Sequence, residues 1–257
     1  MLKKWEIAKP ADPELFIAYF NYYVQQSGRE LISLDQAKRN TGSFQLTDSA
    51  TGKPVAYLNS SVKYNSAILQ KGFDYVDKGL ALYPTRLDMR FGKIYMLGQA
   101  ENYPAFTNYL VETIDYGNSI KDAWTWKEGK TLEDAKQFFL SSMQDYVTTI
   151  YNTEDDSLLP LIRQISETVL KYNPNDVESL ANVALTYLVI GEYDKALEYL
   201  LKAEKIAPKD TIVLNNIAQA YYGKKDNTNA RAYYEKIIKV GTADEVKDAK
   251  EKLKHIN

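Results

Sequence analysis

Residues 178–208 read ESLANVALTYLVIGEYDKALEYLLKAEKIAP, and residues 212–242 read IVLNNIAQAYYGKKDNTNARAYYEKIIKVGT. Written one above the other at a spacing of 34 residues, they set Leu180 on Leu214, Asn182 on Asn216, Val183 on Ile217, Ala184 on Ala218 and Tyr187 on Tyr221. The same spacing sets Ala196 on Ala230, Tyr199 on Tyr233 and Lys202 on Lys236. Within each copy the apolar residues recur at three, four and seven positions, the period of a helix face. A break at Gly191-Glu192, and at Lys225-Asp226, divides each copy into two helices. A helix hairpin of this size cannot bury both of its apolar faces alone, so the copies must stack, with the alanines where two helices approach closely.

Working outward, these two copies resemble the tetratricopeptide repeat, whose pattern of small and aromatic residues also recurs every 34 residues. The first copy carries Tyr187, Gly191, Tyr193, Ala196, Ala203 and Pro208 of that pattern, and the second carries Tyr221 and Ala230. Leu180 and Leu214 stand where the family has tryptophan. The resemblance covers about residues 175–240 and implies an all-α fold, a right-handed α-α superhelix. Upstream the pattern weakens. Residues 158–172 end at Asn173-Pro174 as a second helix of a repeat, and Thr131 with Asp134 reads as a capping box opening a partner helix over 132–151. Residues 86–98 with 103–116, and 13–26 with 66–82, complete about five hairpins. Pro13 suits the first turn of its helix.

Residues 43–59 interrupt the helical pattern. Phe44 to Asp48 and Val55 to Leu58 are short alternating runs around a turn-rich joint, which predicts a small β-hairpin insertion that caps the solenoid or offers an edge to a partner strand. The chain is thus expected to divide into residues 1–12, the end of a preceding repeat or an N-terminal arm; 13–130, divergent hairpins with the insertion; 131–242, the repeats; and 243–257, a capping helix. Trp5 to Pro10 resembles the last turn of a repeat's second helix. On that reading the chain begins mid-repeat, and residues upstream of Met1, with any targeting segment, are expected to have been removed.

Composition narrows the chemistry. The 257 residues contain no cysteine and a single histidine, His255. Disulfides, thiolate metal sites, cysteine nucleophiles, histidine triads and multi-histidine zinc sites are therefore excluded. Neither P-loop nor GxSxG nor HExxH occurs. Lys+Arg number 32 and Asp+Glu 34, a formal charge of −2, so no sequence-wide basic field would collect phosphates and nucleic acid is not expected. No apolar run approaches the ~20 residues of a membrane span. The expected protein is soluble, either cytoplasmic or, should an export signal precede Met1, bacterial periplasmic. No catalytic residue, metal or cofactor is assigned, and the oligomeric state is left open.

The expected function is a protein-interaction scaffold, not an enzyme, with a protein or peptide as partner. In tetratricopeptide-repeat proteins the first helix of each repeat lines the inner curve. By that resemblance Asn182, Leu185, Asn216, Gln219 and Tyr222 face a groove, and Lys250, 34 residues after Asn216, adds a third rung. An asparagine amide both donates and accepts, so a row of them can hold an extended peptide backbone irrespective of its side chains. The Lys/Arg clamp with which some relatives hold a terminal carboxylate is absent from both first helices. Two alternatives stand beside this reading. Trp124 and Trp126 offer a possible aromatic contact for a glycan or small molecule, and the many carboxylates leave room for an acid/base hydrolase pair.

Overall fold

Asp12 and Asn65 show how the first helices begin. The Asp12 carboxylate accepts the Glu14 backbone N–H at 3.0 Å ahead of Pro13, and the Asn65 side chain accepts from Ile68 N–H at 3.1 Å. The computed structural model describes residues 1–38 and 43–256 and divides them into two compact units. The first unit comprises Met1–Glu101 and Trp124–Leu132. It holds α1 (Leu2–Ala8), α2 (Pro13–Ser27), β1 (Gly28–Asp35), β2 (Phe44–Thr47), β3 (Pro54–Tyr64), α3 (Ser66–Leu82) and α4 (Leu87–Gln99). Helices α2 and α3 pack as a pair around Leu15, Phe16, Phe20, Leu69, Phe73 and Val76. They come close because residue 79 has no side chain: a Cβ there would lie 3.0 Å from Met89 Sδ and 3.1 Å from Phe16 Cβ.

The expected β-hairpin is present and gains a third strand. The sheet is antiparallel in the order β1-β3-β2, with Leu34 opposite Leu58 and Phe44 opposite the same Leu58. Asp48 closes the β2–β3 turn by accepting from the N–H groups of Ala50 and Thr51, donors that hold its carboxyl below the usual carboxylate range. Strand β1 escapes a sequence reading because α2 runs straight into it at Gly28, with no turn cluster to mark the change. Cross-strand partners share a face, so Ile32, Leu34, Phe44, Leu46, Leu58 and Val62 lie on one side. Much of that side is exposed, Ile32 at 72% and Phe44 at 75%, while Ala56 on the same face is buried.

Tyr19 ties α1 to α2. Its hydroxyl donates to Glu6 Oε2 at 2.7 Å, and its ring stacks on Tyr75 with centroids 4.2 Å apart. The bond to Glu6, then burial, push the phenol up to about 12 from its ordinary 10. A folded value above the unfolded one stabilises the protein below pH ~10 and is lost as pH rises toward ~12. Melting temperature measured across that window is expected to fall less steeply for Tyr19→Phe than for the natural chain; equal slopes would refute this coupling.

The second unit comprises Asn102–Ala123 and Glu133–Asn257. It contains α5 (Tyr103–Ser119), α6 (Ala135–Tyr151), α7 (Leu159–Tyr172), α8 (Val177–Val189), α9 (Tyr193–Ile206), α10 (Thr211–Gly223), α11 (Asn227–Val240) and α12 (Ala243–Lys254). Each of α6 to α12 packs on the next, in the α-α manner the repeat demands. Two local readings are corrected. The capping box at Thr131 and Asp134 does not form: Thr131 bridges to Thr125, Leu132 N–H donates to Trp124 O, and Asp134 takes a left-handed φ of 48° with no side-chain cap. A capping box forms instead at Thr242 and Glu245, opening α12. The hairpin expected over 86–116 is divided, α4 packing on α3 in the first unit and α5 on α7 in the second.

The two copies repeat in three dimensions what they repeat in sequence. Tyr187 stacks on Tyr199 with centroids 6.1 Å apart at 23°, and Tyr221 stacks on Tyr233 at 5.7 Å and 24°. Lys202 lies over Tyr199 and Lys236 over Tyr233. Ala184, Ala196, Ala218 and Ala230 are all fully buried where helices cross. Tyr233 also donates to Glu204 at 2.8 Å, and burial followed by that bond raises its phenol.

Candidate functional site

Helices α8 and α10 begin alike. Asp176 caps α8 by accepting from Ser179 N–H at 2.9 Å, and Asp210 caps α10 by accepting from Ile212 and Val213 N–H at 2.9 and 3.1 Å. Counting from each cap, the second residue is Glu178 or Ile212, the sixth is Asn182 or Asn216, and the ninth is Leu185 or Gln219. The second, sixth and ninth positions of a helix share one face.

Asn182, Leu185 and Asn216 meet in a hollow of about 190 Å³ between α6, α8 and α10, with the start of α7 beneath. Its floor is apolar and buried, made by Val147, Leu159 and Ile162. Its rim carries Tyr151 and Ile212, the latter 66% exposed. Asn182 donates an amide N–H to Gln144 Oε1 at 2.6 Å, which fixes its orientation and leaves its own carbonyl oxygen uncommitted in that bond. Asn216 differs. Only 9% exposed and part of the lining, its side-chain amide makes no hydrogen bond among the described residues. Its amide atoms are not sealed from solvent, so they face the open hollow where a ligand could reach them.

The other expected site residues fall elsewhere. Gln219 and the exposed Tyr222 line a wider depression of about 710 Å³ with Tyr193, Gly223 and His255. Gly223 belongs there because a Cβ on it would fall 2.3 Å from the Tyr193 ring. Lys250 is exposed on α12 and lines neither recess. The cause is a change of register. From Asp176 to Asp210 the caps are 34 residues apart, but α12 is capped by Thr242, two residues early. The sixth residue after that cap is Asp248, not Lys250.

Asp248, with Glu245 and Ile212, lines a second hollow of about 200 Å³. Glu245 accepts from the Thr211 hydroxyl and from Thr242 N–H, which hold its carboxyl below the usual range. A carboxyl so lowered stays ionised, which is not the state of a hydrolase's general acid. Trp124 is likewise corrected as a surface aromatic contact. It is fully buried under Arg90, whose guanidinium carbon lies 5.7 Å from the ring, because Thr125 and Leu132 on either side fasten the loop inward. Trp126 is half-buried, edge-on to Phe91 at 6.1 Å. Among the described residues no group of three or more His, Asp or Glu is placed to hold a metal, and no helix is long and apolar enough to cross a membrane.

Residues 166–198 and 212–240 each match a family model described as tetratricopeptide repeat. This part of the chain is a tetratricopeptide-repeat region. As such it is a protein-interaction scaffold; the first match runs from within α7 through α8 into α9, and the second covers the α10–α11 hairpin. A solved structure described as YrrB, a TPR protein with an unusual peptide-binding site, is similar over 97% of this chain and 97% of that chain, at 14% identity and a TM-score of 0.47. The search of curated proteins finds no match. Sequence reasoning found Asn182 and Asn216 through the period of the tetratricopeptide-repeat region. It missed Gln144, Tyr151 and Ile212, whose signal was present: Ile212 stands 34 residues after Glu178 at the head of the same stripe.

Proposed function

We propose that the α6–α8–α10 face binds an extended peptide segment of a partner protein, as a scaffold without catalytic chemistry. The observation that carries this reading is Asn216, whose amide has no protein partner and opens onto a hollow with an apolar floor. A peptide backbone supplies both the acceptor and the donor that such an amide lacks, and Asn182 stands beside it in the same lining. A cavity of ~150 Å³ takes a benzene-sized group, so the hollow has room for one bulky side chain of that peptide. A preformed recess also spares the cost of ordering on its own side. Gln219, one turn beyond Asn216 on α10, lines the neighbouring depression with Tyr222.

Two measurements on one substitution test this. Asn216→Leu exchanges an amide with no protein partner for an apolar group of similar size, so the stability should change by no more than ~1 kcal/mol. Peptides selected on the natural chain from a displayed random library should at the same time lose at least about tenfold in affinity, the scale of an unmade buried hydrogen bond. Tyr222→Ala, at the 49% exposed edge of the neighbouring depression, should alter affinity less and leave the fold untouched. Selected peptides that bind Asn216→Leu unchanged would remove the hollow from the function.

A further inference from the structure

We infer that the peptide held in this hollow is cationic: a bulky apolar side chain fills the recess, and a lysine or arginine about three residues away meets the carboxylates beside it. This deepens the proposed function and rests on it. The charge around the hollow is the first observation. Glu178 lies one helical turn before Asn182 on the same face of α8, and the charges that bear on it come from Asp176, Asp145 and Asp210. Desolvation, followed by those three carboxylates, raises the Glu178 acid above its ordinary value. No charged side chain lines the hollow itself; the Arg163 guanidinium reaches its lining, donating to Thr186 Oγ1 at 3.0 Å, but is turned onto the Tyr187 ring at 3.9 Å.

The register of α12 is the second observation, and it is independent of the first. With Thr242 as its cap, the stripe that reads Glu178, Asn182, Leu185 on α8 and Ile212, Asn216, Gln219 on α10 reads Asp244, Asp248, Glu251 on α12. Both hollows share Ile212, so a chain passing over it leaves one and enters the other. The second hollow presents Glu245 and Asp248. Lys252 and Lys254 temper that end: Lys252 pairs with Asp248 at 2.7 Å and donates to Asn215 at 2.9 Å, and Lys254 pairs with Glu251 at 2.6 Å.

The spacing follows from geometry. Packed helices lie ~8–10 Å apart and an extended chain advances ~3.3 Å per residue. Neighbouring helices are therefore about three peptide residues apart. Asn216 supplies the feature that points to a ligand at all, and the carboxylates say which charge that ligand carries.

The test compares two selections from the same displayed random peptide library, one on the intact chain and one on Ala181→Trp, whose indole would fill the hollow. Leu185→Trp, another uncharged substitution in the lining, serves in parallel should Ala181→Trp fold poorly. Peptides enriched on the intact chain and lost on either variant should carry a bulky apolar residue with Lys or Arg about three positions from it. Synthetic copies should bind Glu178→Gln/Asp248→Asn about three- to tenfold more weakly than the intact chain at low salt, the scale of two exposed ion pairs, and that gap should close as salt rises and screens the pairs. Hollow-dependent peptides with neutral or acidic flanks would overturn the charge assignment while leaving peptide binding standing. Absence of any hollow-dependent peptide would overturn the proposed function itself.

Discussion

Arg86→Ala is expected to cost the first unit about 3–5 kcal/mol, the scale for stripping one partner from a buried ion pair. Arg86 is 1% exposed. Its Nε and Nη2 grip both oxygens of Asp88 at 2.8 and 2.7 Å, and Nη2 also donates to Glu14 Oε1 at 2.9 Å. Glu14 in turn accepts from Glu128 N–H at 3.3 Å, while Thr125 exchanges backbone bonds with Thr85 and Leu87. One guanidinium thus joins α2, the start of α4 and the loop 124–132. Alanine would leave two carboxylates, only 26% and 13% exposed, facing each other without a cation. Arg86→Lys keeps the charge but cannot reproduce the two-pronged grip on Asp88, so it should fall between. Amide hydrogen exchange in α2 and α4 reads the effect locally; protection unchanged in Arg86→Ala would show that the triad does not hold this unit together.

The second large effect is expected at the helix crossings of the repeats. Ala196→Leu and Ala230→Leu should each destabilise the second unit by about 1–3 kcal/mol, because added methylenes must force apart helices already in contact. Both alanines are fully buried at equivalent places in the two copies. Denaturant midpoints measure both. A midpoint equal to that of the natural chain for either variant would mean that the copies do not stack in the register their 34-residue spacing sets.

How much was legible in the sequence depended on whether a feature was local or repeated. α3 begins and ends where the apolar period and Tyr83-Pro84 place it, and α8 to α11 follow from one alignment. The tyrosine pairs were foreseeable too, since residues in equivalent surroundings recur in both copies. Errors came where a residue pattern suited two structures. Thr131 and Asp134 have the chemistry of a capping box, yet Thr131 is used as a bridge to Thr125. Gly28 to Asp35 follows α2 with no turn residues between, so nothing local announces a strand that exists because β3 stands ready to pair with it.

The site divides along the same line. The sequence alone determined that two equivalent first helices exist and that an asparagine stands at the same place in each, because helix period and repeat length are properties of the chain itself. Only the tertiary structure decided that Asn182 finds Gln144 while Asn216 finds no one, that Thr242 caps α12 two residues early and puts Asp248 where Lys250 was expected, and that Trp124 is buried. Each of these depends on which distant groups arrive beside a side chain, and the packing of separate helices fixes those meetings, not the spacing of residues along one of them.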